Sequence, residues 1–315
     1  MKKGERIKVL CLAGPTGTGK SELALALADA LPVEIISVDS AMIYRGMDIG
    51  TAKPDRAVRA RVPHHLIDIR DPAETYNAAG FARDAVTLIR DIHGRGRLPL
   101  LVGGTLLYFR ALMRGLSPVP GAEPGLRAAI RNEAETRGWV ELHGELAHVD
   151  PASAARIHVN DRQRLERALE LYRLTGTPPS RLYERADAGA PFEFTRLALW
   201  PADRAQLYAQ LTERFHGMLA AGLIEEVRAL HARGDLGPAH PAVRVLGYRQ
   251  LWAWLDGECE LAEAERRAIT ATRRYAKRQL TWLRSEPQWL RIEADAGAKE
   301  RILAAARGEV SSVAA

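Results

Sequence analysis

The chain has 315 residues, 47% hydrophobic and 27% charged, the composition of a globular protein with ample core in one large or two ordinary domains. No run approaches about 18 uninterrupted apolar residues, so no membrane-spanning helix and no membrane partner are expected. Cys11 and Cys259 stand far apart without companions, which excludes a disulfide framework and a cysteine-based zinc site. The net charge is +6, and its uneven placement favours a polyanionic partner.

The elements alternate strand and helix over the first hundred residues. The basic Met1–Arg6 leads through a short apolar strand, Lys8–Ala13, directly into Gly14-Pro15-Thr16-Gly17-Thr18-Gly19-Lys20-Ser21. This is a full match to G-x-x-x-x-G-K-[S/T]. A cleaved leader would remove part of that motif, so a cytoplasmic protein is expected. A helix over Lys20–Leu31 follows. Glycines let the backbone curl until several N–H groups and the helix N-terminus point at one anion. Lys20 then reaches the phosphate oxygens, and Ser21 is placed to hold a Mg²⁺ that bridges them. The loop predicts a bound phosphate or diphosphate without specifying ATP. A second apolar strand spans Val33–Val38, a third short one is expected in 65–69, and a helix in 76–95 shows apolar residues at helical spacing. The strand at 97–102 ends in Gly103-Gly104-Thr105. The pattern predicts an α/β doubly wound parallel sheet of the P-loop NTPase type, with loops 14–21, 39–54 and 103–108 at its ligand edge.

Proline and glycine punctuate 117–125, residues 126–183 read as helix without a convincing strand, and the Ala-Gly segment 186–191 closes the stretch. Phe194–Trp200 reads as a returning strand. The expected organisation is therefore a P-loop core in 1–116 and 194–285 and a helical insertion in 117–193. A C-terminal tail in 286–315 carries an alanine-rich helix at 299–307. Long helices are expected at 203–232 and 258–285.

Asp39 follows the second strand, which puts its carboxylate at the ligand edge. It suits a Mg²⁺ partner, a general base, or a cap for the turn after it. Thr105 offers a hydroxyl to a substrate or caps the next helix. Thr16 is positioned to meet a diphosphate, although loop geometry alone also accounts for it. Periodicity puts Arg214 on the solvated face of an amphipathic helix. Adjacent His64 and His65 on a strand point to opposite faces and do not share a metal. Trp252, Trp254, Trp282 and Trp289 read as core anchors. In Gly247–Gln250 the tyrosine suits stacking on a base and the arginine a phosphate, although by itself the segment reads as a helix start. Arg273, Arg274, Lys277 and Arg278 form one positive stripe on the last long helix, and Arg162, Arg164 and Arg167 give the insertion a second basic set. Two such patches suit a folded nucleic acid.

Taken together, 14–21, Ser37–Pro54 with its Asp-Ser-x-x-x-Tyr core, Val62–Asp68, Val102–Tyr108, Asn160–Glu170, Arg244–Gln250 and Ala271–Arg284 match blocks of one family. From about residue 8 to 285 the chain resembles the tRNA dimethylallyltransferases, which prenylate N6 of adenosine 37 beside the anticodon. The resemblance implies that dimethylallyl diphosphate is the donor and that the loop Gly14, Pro15, Thr16, Gly17, Thr18, Gly19, Lys20 and Ser21 binds its diphosphate. Lys20 and Thr16 would stabilise the departing diphosphate, Ser21 would hold Mg²⁺, Asp39 would be the general base, and Arg214 would assist the leaving group. It assigns tRNA contacts to Asp39, Ser40, Ala41 and Met42; to Thr105 and Arg127; to Gln163, Arg164, Leu165, Glu166 and Arg167; and to Arg244, Val245, Leu246, Gly247, Tyr248 and Arg249. The expected partner is the anticodon stem-loop of tRNA, bound by a monomer. The family often has Ala-Ser where Gly17-Thr18 stands and Thr where Ser21 stands; a hydroxyl remains at position 21. A small-molecule kinase or NTPase, a non-catalytic RNA-binding protein with a vestigial loop, and an adenylate isopentenyltransferase are the competing readings.

Overall fold

Six segments pair in parallel, and the central ones are apolar toward both of their flanking helical layers. β1 (Lys8–Ala13), β2 (Val33–Val38), β3 (His64–His65), β4 (Leu98–Gly103), β5 (Glu193–Trp200) and β6 (Leu290–Glu293) form one sheet in the order β3-β2-β4-β1-β5-β6. In β1, Val9, Cys11 and Ala13 face one core, and Leu10 and Leu12 face the other. The structure is a computed structural model that describes residues 6–184 and 189–307; positions 1–5 and part of the 186–191 segment lie outside the described residues.

The helices are α1 (Lys20–Ala28), α2 (Arg56–Arg61), α3 (Ala78–Gly94), α4 (Leu106–Arg114), α5 (Pro124–Arg137), α6 (Trp139–Val149) and α7 (Pro151–Arg156), followed by α8 (Arg162–Thr175), α9 (Pro179–Glu184), α10 (Arg204–Ala220), α11 (Leu223–His231), α12 (Tyr248–Leu255), α13 (Leu261–Arg284) and α14 (Ala298–Ala306). Phe81 and Ile89 of α3 and Phe109 of α4 seal one face of the sheet. Leu27 of α1 and Ile302 of α14 seal the other. The chain divides into two compact units, Met1–Met113 with Ala190–Ala315, and Arg114–Gly189. The second unit holds α5 to α9 around its own core of Ile130, Leu142, Leu146, Leu165 and Leu169. Within the first unit, Ile43, Tyr44 and Met47 of the 39–54 loop pack against α10 to α13. Among the described residues, no helix is long and apolar enough to cross a membrane.

Three local outcomes differ from the sequence pattern. The expected strand at 65–69 stops after His65, because Leu66 and Asp68 take left-handed φ of 61° and 57°. That conformation turns the Asp68 carboxylate onto Lys53 and Arg59, each at 2.6 Å. The single helix expected over 203–232 is broken at Gly222, whose φ of 102° suits only glycine. The segment after Glu286 supplies a sixth strand, β6, beside β5.

Glu34, 4% exposed on β2, is held by both Nε and Nη2 of Arg95 at 3.0 and 2.6 Å and by His65 at 2.7 Å. The Arg95 bonds, with His65, hold its carboxyl down to about 2 against the cost of burial. Arg95→Ala is expected to cost about 1–3 kcal/mol at neutral pH, because a buried carboxylate loses its main partner. A carboxyl with a depressed folded-state pKa stabilises above its unfolded value and loses that contribution as pH falls through the folded one. Denaturant titrations should therefore show the gap between wild type and variant closing as pH is lowered from about 5 toward 2.

Candidate active site

The phosphate loop closes between β1 and α1. Gly17 and Gly19 take φ of 84° and 80°, which turns successive amides inward at no Cβ cost. Gly19 caps α1 without a side-chain bond, so the first-turn N–H groups of the helix are open to an anion. The Thr18 hydroxyl donates to Pro15 O at 2.9 Å, and Lys20 Nζ donates to the same carbonyl at 2.5 Å. Ser21 opens α1 with an exposed side chain.

Asp39 follows directly on β2 at the same sheet edge. Its Oδ1 accepts the N–H groups of Ala41 and Met42 at 2.7 and 3.3 Å, so it does cap the following turn. Both bonds fall on Oδ1, and among the described residues that leaves Oδ2 for other work. The Thr105 hydroxyl accepts Ser40 N–H at 3.1 Å, tying the loop after β4 to the loop after β2. The two loops can approach because Gly103 lies against β2: a Cβ there would collide with Val38 O.

Two cavities meet at this point. One, of about 870 Å³, is lined by the phosphate loop, Ser37, Met42, Ile67 and Val102. The other, of about 1140 Å³, is lined by Ser40, Ala41, Arg244, Val245, Leu246, Gly247, Arg249, Arg274 and Arg278. Thr16, Asp39, Thr51, Arg214 and Tyr275 line both. The charges on this shared wall interact. Crowding by protein, reinforced by the Arg214 charge and opposed by Asp39, holds the Lys20 ammonium down to about 7. Burial lowers the Arg214 pKa from its ordinary value, while Asp39 and Glu22 oppose the shift. Burial first, then the Asp39 charge, push the Tyr275 phenol up to about 12, so at neutral pH it remains a donor.

The structure thus brings Thr16, Lys20, Asp39 and Arg214 together, although periodicity alone puts Arg214 on a solvated face. Arg244 and Arg249 are exposed beside the basic cleft, whereas Tyr248 is buried and donates to Glu226 at 2.5 Å. Glu226 also accepts the N–H groups of Asp48, Ile49 and Gly50, so Tyr248 acts through the 39–54 loop and does not stack on a base. Arg127 and 163–167 belong to the second unit, on α5 and α8. There Gln163 and Arg164 are exposed and Leu165 is fully buried. Arg127 is bonded through two nitrogens to buried Glu170, which Arg167 also meets, and Glu166 pairs with Arg131 at 3.3 Å. On α13, Arg274, Lys277 and Arg278 are exposed, but Arg273 turns to Thr212 of α10 at 2.7 Å. His64 and His65 are spent on Val62 O and Glu34. Among the described residues, no group of three or more His, Cys, Asp or Glu could hold a metal.

Two contributors are not evident from the sequence. Lys53, with its side chain 1% exposed, bonds Asp48, Asp68 and Tyr44 O and fixes the loop carrying Tyr44. Gln279 of α13 accepts Thr16 N–H. The available signal was its place on the apolar stripe Ala276, Leu280, Leu283, where a polar residue needs a partner.

The IPP transferase family model matches residues 42–286. A tRNA dimethylallyltransferase of Bordetella pertussis is 56% identical over 292 residues, covering 92% of this chain and 93% of that protein. The crystal structure of the full-length tRNA isopentenylpyrophosphate transferase of Bacillus halodurans is 37% identical, with a TM-score of 0.69 over 95% of this chain and 94% of that one. A eukaryotic dimethylallyltransferase acting on tRNA is 28% identical, with a TM-score of 0.78 over 96% of this chain and 79% of that one. A phosphate loop facing a strand-end carboxylate, together with these matches across most of its length, places the chain in the IPP transferase family.

Proposed function

We propose that this chain transfers the dimethylallyl group of dimethylallyl diphosphate to N6 of adenosine 37 in tRNA, releasing diphosphate. The observation that carries the reading is the position of Asp39 on the wall common to the phosphate-loop cavity and the basic cleft. A base there faces a diphosphate on one side and a nucleobase on the other. The target adenine must leave its stack to reach it. Asp39 accepts the N6 proton as the N6–carbon bond forms. The allylic carbon–oxygen bond breaks, and its electron pair leaves with the diphosphate. Lys20, Thr16, Arg214 and the loop amides stabilise that departing charge, an environment in which fixed donors act strongly.

The donor set suits a hard cation bound largely through the substrate. Ser21 supplies one hydroxyl at the start of α1, and Mg²⁺ commonly takes few protein ligands together with phosphate oxygens and water. When bound, Mg²⁺ would offset diphosphate charge. The second unit and the exposed Arg274, Lys277 and Arg278 would grip the anticodon stem-loop of a tRNA bound to the monomer. Arg274→Ala combined with Lys277→Ala should weaken tRNA binding. The slope of log affinity against log salt should also fall by about one for each phosphate no longer neutralised. Filter-binding titrations at several salt concentrations measure it.

Incubation with radiolabelled dimethylallyl diphosphate and unmodified tRNA tests the reading. Label on the adenosine beside the anticodon supports it. Label on free AMP or ADP favours an adenylate isopentenyltransferase, and ATP turnover without labelled RNA favours a kinase or NTPase.

A further inference from the structure

We propose that Gln279 is a positioning residue that sets the alignment between the diphosphate cradle and the base. The inference rests on the prenyl-transfer reading above and concerns how that site is held.

The exposed face of α13 carries Arg274, Lys277 and Arg278, while Ala276, Gln279, Leu280 and Leu283 are buried. Gln279 is 4% exposed, and both ends of its amide are used. Oε1 accepts Thr16 N–H at 3.0 Å, and Nε2 donates to Gly104 O at 2.8 Å. Only one orientation of the amide satisfies both bonds, because an oxygen cannot donate to a carbonyl and an NH₂ cannot accept from an N–H. The first partner belongs to the phosphate loop. The second precedes Thr105, whose hydroxyl holds the Ser40 amide next to Asp39. One side chain therefore spans the two loops that must face each other during transfer. Tyr275, one turn earlier, donates to the same Gly104 carbonyl at 3.4 Å. The loop is shaped to admit this contact, since a Cβ on Gly104 would collide with Gln279 Nε2.

The contact also decides which amides are offered to the anion. Thr16 N–H points at a protein oxygen, so Thr16 meets the diphosphate through its hydroxyl while the later amides of the loop form the cradle. Without Gln279 that N–H would be free to turn, and the spacing between cradle and Asp39 would no longer be fixed. Misplacement by about 1 Å at such a site is enough to cost about 10²-fold in rate.

Two substitutions separate alignment from bulk. Gln279→Met keeps the volume and removes both bonds. Gln279→Glu keeps the acceptor for Thr16 N–H but sets an oxygen against Gly104 O and adds negative charge beside the donor. The test is single-turnover transfer to unmodified tRNA with saturating labelled dimethylallyl diphosphate, using the full chain, with tRNA affinity measured separately. The amplitude reports the competent fraction, and the rate reports alignment. For Gln279→Met the rate is expected to fall about 10²-fold with amplitude and tRNA affinity retained. Gln279→Glu should lose at least as much rate and also weaken donor binding. A purely structural role would lower the amplitude and leave the rate intact, and that result overturns the proposal, as does a rate within about threefold of wild type in either variant. Should Gln279→Met fail to fold, the isosteric Gln279→Glu decides by the same criteria. Wild-type enzyme that labels no tRNA overturns the transfer reading and this inference with it; active wild type with unaltered variants overturns this inference alone.

Discussion

Asparagine in place of Asp39 is expected to lower the single-turnover rate of prenyl transfer about 10²–10⁴-fold, the usual contribution of a positioned base. Binding of tRNA should change far less. Asparagine is the informative choice because its Oδ1 can still accept the Ala41 and Met42 amides, so the turn survives and only proton acceptance is lost. Asp39→Ala removes both functions and should be worse by the cost of the turn. Quench-flow transfer assays beside filter binding separate the two quantities. A loss of tRNA affinity equal to the loss of rate would show that the carboxylate holds RNA and does not take a proton.

Lys20→Met is expected to reduce transfer about 10²–10³-fold, as for the loss of one preorganised donor at a site of developing charge. Arg214 remains on the same wall, which is why the loss should not be complete. The pH profile offers a sharper test. The Lys20 ammonium is held down to about 7 by burial and by Arg214. It is charged below that value and neutral above it, so kcat/KM for the donor should decline as pH rises through neutrality. That parameter reports groups of the free enzyme. Lys20→Arg keeps the charge at every accessible pH and should flatten the alkaline limb even if its overall rate is lower. An alkaline limb that persists unchanged in Lys20→Arg would assign the titration elsewhere.

The parts of the fold visible in the sequence are those set by local rules. β1, β2 and β4 are near-continuous apolar runs, β5 is apolar over its last four residues, and the loop after β1 is a fixed pattern of glycines and Lys20. Asp39 was recognisable because a strand end in a parallel sheet lies at the ligand edge. β6 has four residues, too few for alternation to register, and becomes a strand only because β5 offers it an edge. The break at Gly222 was hidden because helical periodicity continues on both sides. Lys53, Glu226 and Gln279 were opaque for a common reason: their partners lie 5 to 263 positions away. Tyr248 shows the reverse error. An aromatic beside an arginine looked suited to a nucleobase, yet burial against Gly50 and Leu223 and its bond to Glu226 make it a brace.

The bond between Thr16 and Gln279 joins positions 263 residues apart, and this has a bearing on how the enzyme comes into being during translation. A ribosome that has released the first hundred residues has made the glycine motif and Asp39 but not the Gln279 amide that joins the phosphate loop to Gly104. Contacts of such separation form late, so competence should appear almost at once when α13 emerges, with little graded activity beforehand. Fragments ending before position 279 would then carry an intact nucleotide-loop signature and still be inert.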